Sequence, residues 1–136
     1  MKIFPSTFAL VAFLATAASA APALEVGKAD WSKMPKLVSS AGSLPYEEMV
    51  GGVEQLLASG QCEIRGQSYR RFDINVPYAV KIDASGAASR IVVAEMGCKP
   101  LESLVGNLVA DMAERGDFRG ATKPGWYSSK INFTQE

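Results

Sequence analysis

An alternating run of residues constrains the fold of this chain more than any other feature. From Phe72 to Ile82 every second residue is apolar, and the positions between them include Asp73, Asn75 and Lys81. A period of two is typical of a β-strand with one face buried and the other in water. Any fold for this chain must therefore contain a sheet that covers a core on one side.

The residues after this strand predict a hairpin. Residues 83–86 supply turn chemistry and end in Gly86, which readily takes the positive φ that a tight reversal often needs. Residues 91–94 then resume in strand-forming types.

Beyond the hairpin the apolar spacing becomes that of a helix. One stripe recurs at helical intervals: Leu101, Leu104, Val105, Leu108, Val109 and Met112. Gly116 follows at the position where helices commonly end. We expect Leu104 and Leu108 to meet Val80 in the core between helix and sheet.

Two further elements flank this centre. An apolar stripe over residues 46–57, with Ser43 as its N-cap and Gly60 at its end, predicts a helix. Residues 126–133 predict a final strand. The expected fold is α+β: a small antiparallel sheet, made of the β-hairpin and the C-terminal strand, packs on the long helix, with an extra N-terminal helix.

Residues 1–20 have the pattern of a signal peptide. Lys2 gives a positive start, residues 3–15 are almost wholly apolar, and residues 18–20 form a small-x-small cleavage pattern. We expect cleavage after Ala20. The alternative is that the segment stays as a membrane anchor, because about 20 apolar residues can span a bilayer.

Cleavage would leave a chain of ordinary single-domain length, exported to the periplasm. We expect an extended arm over residues 21–43 and one folded domain over residues 44–136, with no membrane span after cleavage. The formal net charge of the whole chain is +0 at pH 7. The chain therefore lacks the excess of basic residues that would indicate binding to nucleic acid.

The two cysteines, Cys62 and Cys98, both lie in the exported part. Two thiols in an oxidising compartment usually pair, so we predict a structural disulfide. The chain has no histidine, which rules out a mixed Cys/His zinc site. We expect neither a metal nor a cofactor.

The lack of histidine also argues against catalysis. It excludes Ser-His-Asp and Cys-His nucleophile arrangements. Glu47 and Glu48 are neighbours on a predicted helix and diverge by about 100°, so they cannot face each other across a substrate. We therefore expect a protein that is not an enzyme.

Four short motifs, taken in order, resemble the TonB C-terminal domain. Residues 80–86 (VKIDASG) resemble its strand and D-x-x-G-type turn, and residues 96–102 (MGCKPLE) look like its turn into the long helix. Residues 118–121 (FRGA) are similar to the segment after that helix, and residues 130–133 (KINF) to its closing strand. The likeness extends over about residues 72–134.

This resemblance implies a peptide-binding module. TonB proteins couple inner-membrane proton flux to outer-membrane transporters, and their C-terminal domain grips an extended peptide of the transporter by strand pairing. This chain has no long Pro-rich, charged linker, and its hydrophobic N-terminal segment carries no histidine. We therefore expect the peptide-binding fold without the energy-coupling half, and an outer-membrane transporter as the kind of partner.

The expected binding surface is the edge of the final strand, where unpaired backbone groups can receive another strand. Its predicted residues are Trp126, Tyr127, Ser129, Lys130, Ile131 and Phe133. Two alternatives stay open. The same edge could pair with itself in a structural homodimer without a peptide ligand, or the chain could be an anchored energy transducer if residues 1–20 are retained.

Overall fold

The structure is a computed structural model, and it describes these parts of the chain: residues 21–28, 30–37, 45–118, 121 and 123–136. The predicted signal peptide and Ser43 lie outside them. The first helix has Pro45 at its N-cap position, so the N-cap predicted at Ser43 is wrong. In the described parts, no helix combines the length and apolar character needed to cross a membrane.

The described residues form an α+β fold, as predicted. Its elements in chain order are β1 (Ala23–Gly27), α1 (Tyr46–Ala58), β2 (Phe72–Ile82), β3 (Ala88–Ala94), α2 (Lys99–Glu114) and β4 (Gly125–Gln135). The four strands make one sheet in the order β1-β3-β2-β4. The antiparallel pairs of β2 with β3 and with β4 are those of the predicted hairpin and closing strand.

Strand β1 is the main departure from the prediction. It pairs in parallel with β3, from Ala23 beside Arg90 to Gly27 beside Ala94. The sheet is therefore mixed rather than purely antiparallel. Every residue of β1 except the last is exposed, so this short edge strand lacks the alternation of buried and exposed positions that reveals β2.

The central strand β2 contains a proline at a place that tolerates it. Prolines are rare inside sheets because they have no N–H to donate to a neighbouring strand. Pairing with β3 begins at Tyr78. Pro77 therefore lies opposite Ala94, the last residue of β3, so its missing N–H falls at the end of that ladder and not within it.

The predicted turn between β2 and β3 is also present. Gly86 has a φ of 85°. The Asp83 carboxylate accepts hydrogen bonds from the N–H groups of Ser85 and Ala87 and from the Ser85 hydroxyl. These bonds, that of the Ser85 side chain first, hold the pKa of Asp83 below its ordinary value. The turn is thus closed by a charged acceptor, which reinforces the hairpin register.

Both helices contribute to one core on the same face of the sheet. The core cluster joins Met49 and Val53 of α1 and Val105 of α2 to Val80 and its buried neighbours in β2. Val80 is fully buried, as expected. The helices and the sheet therefore form two layers.

The buried stripe of α2 is narrower than the predicted one, because two of its six predicted residues are not buried. Its buried apolar side chains are Leu101, Val105, Val109 and Met112. Leu104 and Leu108 are only half-buried, and Leu104 lies towards Gly52 of α1. The predicted stripe covers two surfaces of α2, one that faces the sheet and one that faces α1. Only the residues of the first surface are buried against the sheet.

We expect Leu101→Ala to lower the free energy of unfolding by about 2–5 kcal/mol, because Leu101 is 1 % exposed and its removal leaves a cavity. Leu104→Ala, on the same helix and with the same chemistry, should cost clearly less because its side chain is half-buried. Urea unfolding of both variants checks this. An equal loss, or a larger one for Leu104→Ala, would contradict the observed orientation of α2.

The turn into α2 is held at two points. The predicted disulfide is present, and the Cα atoms of Cys62 and Cys98 are 5.3 Å apart. The chain doubles back over residues 66–71, which lets Cys62 reach the start of α2. In addition, the buried carboxylate of Glu102 accepts a hydrogen bond from the Met96 N–H at 3.0 Å. The loop after α1 and the first turn of α2 are therefore joined.

Reduction of the disulfide should lower the free energy of unfolding by about 3–4 kcal/mol, since the cross-link closes a loop with a sequence separation of 36. Urea unfolding with and without reductant measures the difference. A double variant, Cys62→Ala with Cys98→Ala, serves as the control and should not respond to reductant. A loss below about 1 kcal/mol for the wild type would contradict this role.

Candidate functional site

Strand β4 forms one edge of the sheet and contains every predicted site residue. It pairs with β2 along its whole length, from Gly125 beside Ile82 to Gln135 beside Phe72. A strand with a neighbour on one side only directs a row of N–H and C=O groups away from the sheet. The outward N–H and C=O groups of β4 are the candidate site. The hydrogen bonds on the outer side of β4 show which residues direct their backbone groups outward.

Two residues of β4 make hydrogen bonds on its outer side. The Ser128 N–H donates to the Pro35 C=O at 3.0 Å, and the Ser128 C=O accepts from the Leu37 N–H at 2.8 Å. The Thr134 N–H donates to the Tyr46 hydroxyl at 3.2 Å. Backbone direction alternates along a strand. Even-numbered residues of β4 therefore point outward, and odd-numbered residues point to β2.

We call these backbone groups the outward row; its members are Trp126, Ser128, Lys130, Asn132 and Thr134. Ser128 and Thr134 are bonded as described above. In the described part of the chain, nothing bonds to the outward backbone groups of Lys130 and Asn132. Among the described residues, the edge of the sheet therefore has a short stretch without hydrogen-bond partners between two bonded positions.

Ile131 and Phe133, two of the predicted site residues, face away from this edge. Their side chains are buried in the core, beside Val76 and Ile74 of β2. As odd-numbered residues they also direct their backbone groups to β2. Neither the side chains nor the backbone groups of these two residues reach the outer edge, so their contribution is to hold β4 in place.

Tyr127 and Ser129 are engaged on the helix side of the sheet. The Tyr127 hydroxyl donates to the Lys123 C=O at 2.7 Å. The Ser129 side chain is hydrogen-bonded to Tyr78, where burial raises the pKa of the Tyr78 hydroxyl and this bond offsets part of the rise. Both predicted residues therefore support the strand from inside rather than line its edge.

Trp126 belongs to a row of contacts across the outer face of the sheet. The Arg90 guanidinium lies 5.3 Å from the centre of the Trp126 ring. The same guanidinium is 2.6 Å from the Glu25 carboxylate. Such exposed contacts contribute about 0.5–1 kcal/mol each. They connect β1, β3 and β4 and occupy one face of the indole ring.

Asn132 was not among the predicted residues, yet it is central to the edge. Its side-chain N–H groups donate to Asp73 at 2.7 Å and to Asn75 at 2.8 Å. The Thr134 hydroxyl also donates to Asp73, at 3.2 Å. These bonds join β4 to β2 on the outer face and fix the orientation of the open backbone groups. In the sequence, apolar Ile131 and Phe133 alternate with polar Lys130 and Asn132. This alternation is the sequence signal that Lys130 and Asn132 do not face the core.

One segment of the chain packs against β4 from outside. We call residues 30–37 the covering segment. Its Trp31 and Leu37 side chains are 8 % and 6 % exposed, and the Ser128 hydroxyl donates to the Trp31 C=O at 3.1 Å. The predicted arm over residues 21–43 therefore contributes both strand β1 and this segment, which lie at opposite edges of the sheet.

Strand β1 forms the second edge. The Gly27 C=O accepts from the Glu95 N–H at 3.0 Å, so the odd-numbered residues of β1 face β3 and the even-numbered ones point outward. Leu24 and Val26 occupy these outward positions, and they are 47 % and 52 % exposed. This edge is short and apolar.

A cavity beside α2 has little catalytic chemistry. It measures about 610 Å³ and is lined mostly by small or apolar residues, and Glu114 is the one charged residue among its described lining residues. In the described residues, no group of three or more His, Cys, Asp or Glu side chains could hold a metal ion. The sheet edges are therefore the better-defined candidate sites.

The described residues form a small α+β domain with a four-stranded mixed sheet, whose edge strands are β1 and β4. Comparisons with protein-family models, curated proteins and solved structures found no match to this chain. The likeness to the TonB C-terminal domain therefore rests on the residues and motifs quoted above.

Tyr46→Phe tests whether the hydroxyl protects the end of β4. The Tyr46 hydroxyl contacts both the N–H and the C=O of Thr134. Its removal should cost about 0.5–1.5 kcal/mol and speed hydrogen exchange of the Thr134 amide. The Phe133 amide, which points to β2, serves as the internal control in the same NMR exchange measurement. Unchanged exchange at Thr134 would contradict the contact.

Proposed function

We propose that this chain is a periplasmic module of the TonB C-terminal type, which binds an extended peptide of an outer-membrane partner at the outward row of β4. The observation that carries the proposal is the backbone of Lys130 and Asn132, which has no outward hydrogen-bond partner among the described residues and lies between the bonded residues Ser128 and Thr134. An incoming strand would bond to these groups and continue the sheet. The order of motifs that resembles the TonB family points to the same mode of binding.

The rigidity of this edge supports strand addition. Asn132 is tied to Asp73 and Asn75 of the central strand through its side chain. Its backbone orientation is therefore set before a ligand arrives. A binding surface that is already ordered loses less conformational entropy on association.

The size of the open edge indicates a transient interaction. Lys130 and Asn132 together offer two N–H donors and two C=O acceptors. At about 0.5–1.5 kcal/mol per bond, four bonds contribute about 2–6 kcal/mol. Dissociation constants of 1 mM and 1 μM correspond to about 4 and 8 kcal/mol. Backbone pairing at these two residues alone thus supports weak binding, and tighter binding requires side-chain contacts or a longer strand pairing.

The charge beside the edge favours a peptide with an acidic residue. Lys130 is the only charged residue between Gly125 and Gln135 and is exposed. Lys36 of the covering segment is also exposed and lies beside Ser128 in the parallel bridge. Two lysines at the rim of a site raise the association rate of an oppositely charged ligand more than they raise its affinity.

A homodimer without a peptide ligand is the second candidate, and the β1 edge is the observation that favours it. Leu24 and Val26 are exposed apolar residues, and their outward backbone groups have no hydrogen-bond partner in the described part of the chain. Such an edge pairs with another chain unless it is protected. The anchored transducer depends on residues 1–20, which the structure does not describe. An intact-mass measurement on the exported protein distinguishes it from a cleaved module.

Lys130→Pro should abolish most peptide capture. Proline removes the outward N–H at this position but takes no bond from the ladder with β2, because Lys130 points away from β2. Lys130→Ala is the matched control, since it loses the charge and keeps the N–H. With the immobilised full chain, capture of detergent-extracted outer-membrane proteins should fall about tenfold or more for Lys130→Pro, as one lost bond of about 1.4 kcal/mol predicts.

The control Lys130→Ala should retain capture within about threefold, since a rim charge contributes little to affinity. Equal capture by wild type and Lys130→Pro would contradict the proposal. Sedimentation of the same samples tests the second candidate: a wild-type dimer that Val26→Lys separates, with no capture of outer-membrane proteins, would favour self-association at β1.

A further inference from the structure

We infer that residues 30–37, the covering segment, are an intramolecular occupant of the β4 edge and that an external peptide binds by displacing them. The inference rests on the proposed function and deepens it, because the segment indicates what such a peptide looks like. The peptide would run parallel to β4, with an aromatic residue at the Trp31 position and a bulky aliphatic residue at the Leu37 position.

The covering segment uses the backbone groups that strand addition requires. Lys36 and Ser128 form a parallel bridge. Ser128 donates its N–H to Pro35 and accepts from the N–H of Leu37. Both outward groups of Ser128 are therefore taken by the chain itself. A peptide bound at Lys130 and Asn132 can extend its pairing to Ser128 only when the segment leaves.

The segment is also held by a side chain on each face of the sheet. Leu37 is part of the core cluster on the helix side. Trp31 lies on the opposite side, where its C=O accepts from the Ser128 hydroxyl and its ring is buried. Ala79, beside Ser128 on that outer face, is fully buried as well. A strand that replaces the segment must fill the same two positions, which gives the edge a side-chain preference.

Three features allow the segment to leave without unfolding of the sheet. Among the described residues, its pairing with β4 consists of one bridge. Pro35 has no N–H and so cannot continue the pairing towards Trp126. The residues between its two buried side chains are mostly exposed, including Ser32, Lys33 and Lys36. An element with few buried contacts opens locally at lower free energy than the whole domain.

The closed segment lowers the apparent affinity for any external peptide. When a site is available in only a fraction of molecules, the apparent dissociation constant rises by the inverse of that fraction. A weakened segment should therefore increase binding, which is the opposite of what loss of an ordinary structural contact produces.

The experiment uses the full chain and a fluorescent synthetic peptide with the sequence of residues 30–37. Leu37→Ala removes a buried side chain of the segment, and Lys33→Ala changes an exposed residue of the segment as the matched control. By fluorescence anisotropy, Leu37→Ala should bind the peptide about tenfold tighter than wild type, and Lys33→Ala within about twofold of it. Equal or weaker binding by a folded Leu37→Ala variant with an intact disulfide would overturn the inference.

A measurement on the unaltered protein covers the case in which Leu37→Ala fails to fold. The Ser128 amide bonds to the covering segment, whereas the Ser129 amide points to β2. If the segment opens by itself, Ser128 should exchange its amide hydrogen about a hundredfold faster than Ser129. Equal protection of the two amides would show that the segment opens only with the sheet, and the inference would be wrong.

The two proposals fail in different ways. If Leu37→Ala binds the synthetic segment but captures no outer-membrane protein, displacement stands and the proposed function fails. If wild type and Leu37→Ala capture outer-membrane proteins equally well, the proposed function stands and displacement is overturned.

Discussion

The rest of the structure depends on the pairing and burial of the central strand, β2. Its buried face, from Phe72 to Ile82, forms the floor on which both helices pack. One side pairs with β4 over its whole length, and the other pairs with β3 only from Tyr78 onward. Because β3 and β4 already occupy both sides of β2, the sheet can gain a strand only beyond β3 or beyond β4. β1 takes the first position, and the outer side of β4 remains for the covering segment and the proposed ligand.

The alternation of a strand then decides which groups of β4 are available. Ile131 and Phe133 fill the core with their side chains and bond to β2 through their backbones. Lys130 and Asn132 direct their backbones outward, and the side chain of Asn132 is tied to β2. The chemistry offered by this edge is therefore mainly that of the peptide backbone. In the proposed function, an extended chain pairs with these N–H and C=O groups. Specificity would then come from side chains that dock beside the edge, as those of Trp31 and Leu37 do.

The sequence predicted the elements that bury a regular pattern and missed those that do not. Strand β2 and helix α2 each carry a periodic signal, and the residue types from Asp83 to Gly86 predicted the turn. The expectation of an oxidising compartment predicted the Cys62–Cys98 bond. The exposed strand β1 has no such signal. The apolar stripe of α2 was broad enough to face two neighbours, so it could not distinguish Leu101 from Leu104. At the edge, aromatic and apolar residues suggested a binding surface, but Ser128 and Asn132 become important only through tertiary contacts with Trp31, Leu37 and β2.

The most direct test of the account is an NMR titration of the ¹⁵N-labelled full chain with a synthetic extended peptide taken from an outer-membrane protein. The account predicts that the largest amide shifts occur at Ser128, Lys130 and Asn132, while Leu24 and Val26 keep their positions. Largest shifts at Leu24 and Val26, with the β4 amides unchanged, would place the interaction at the β1 edge and contradict the central claim.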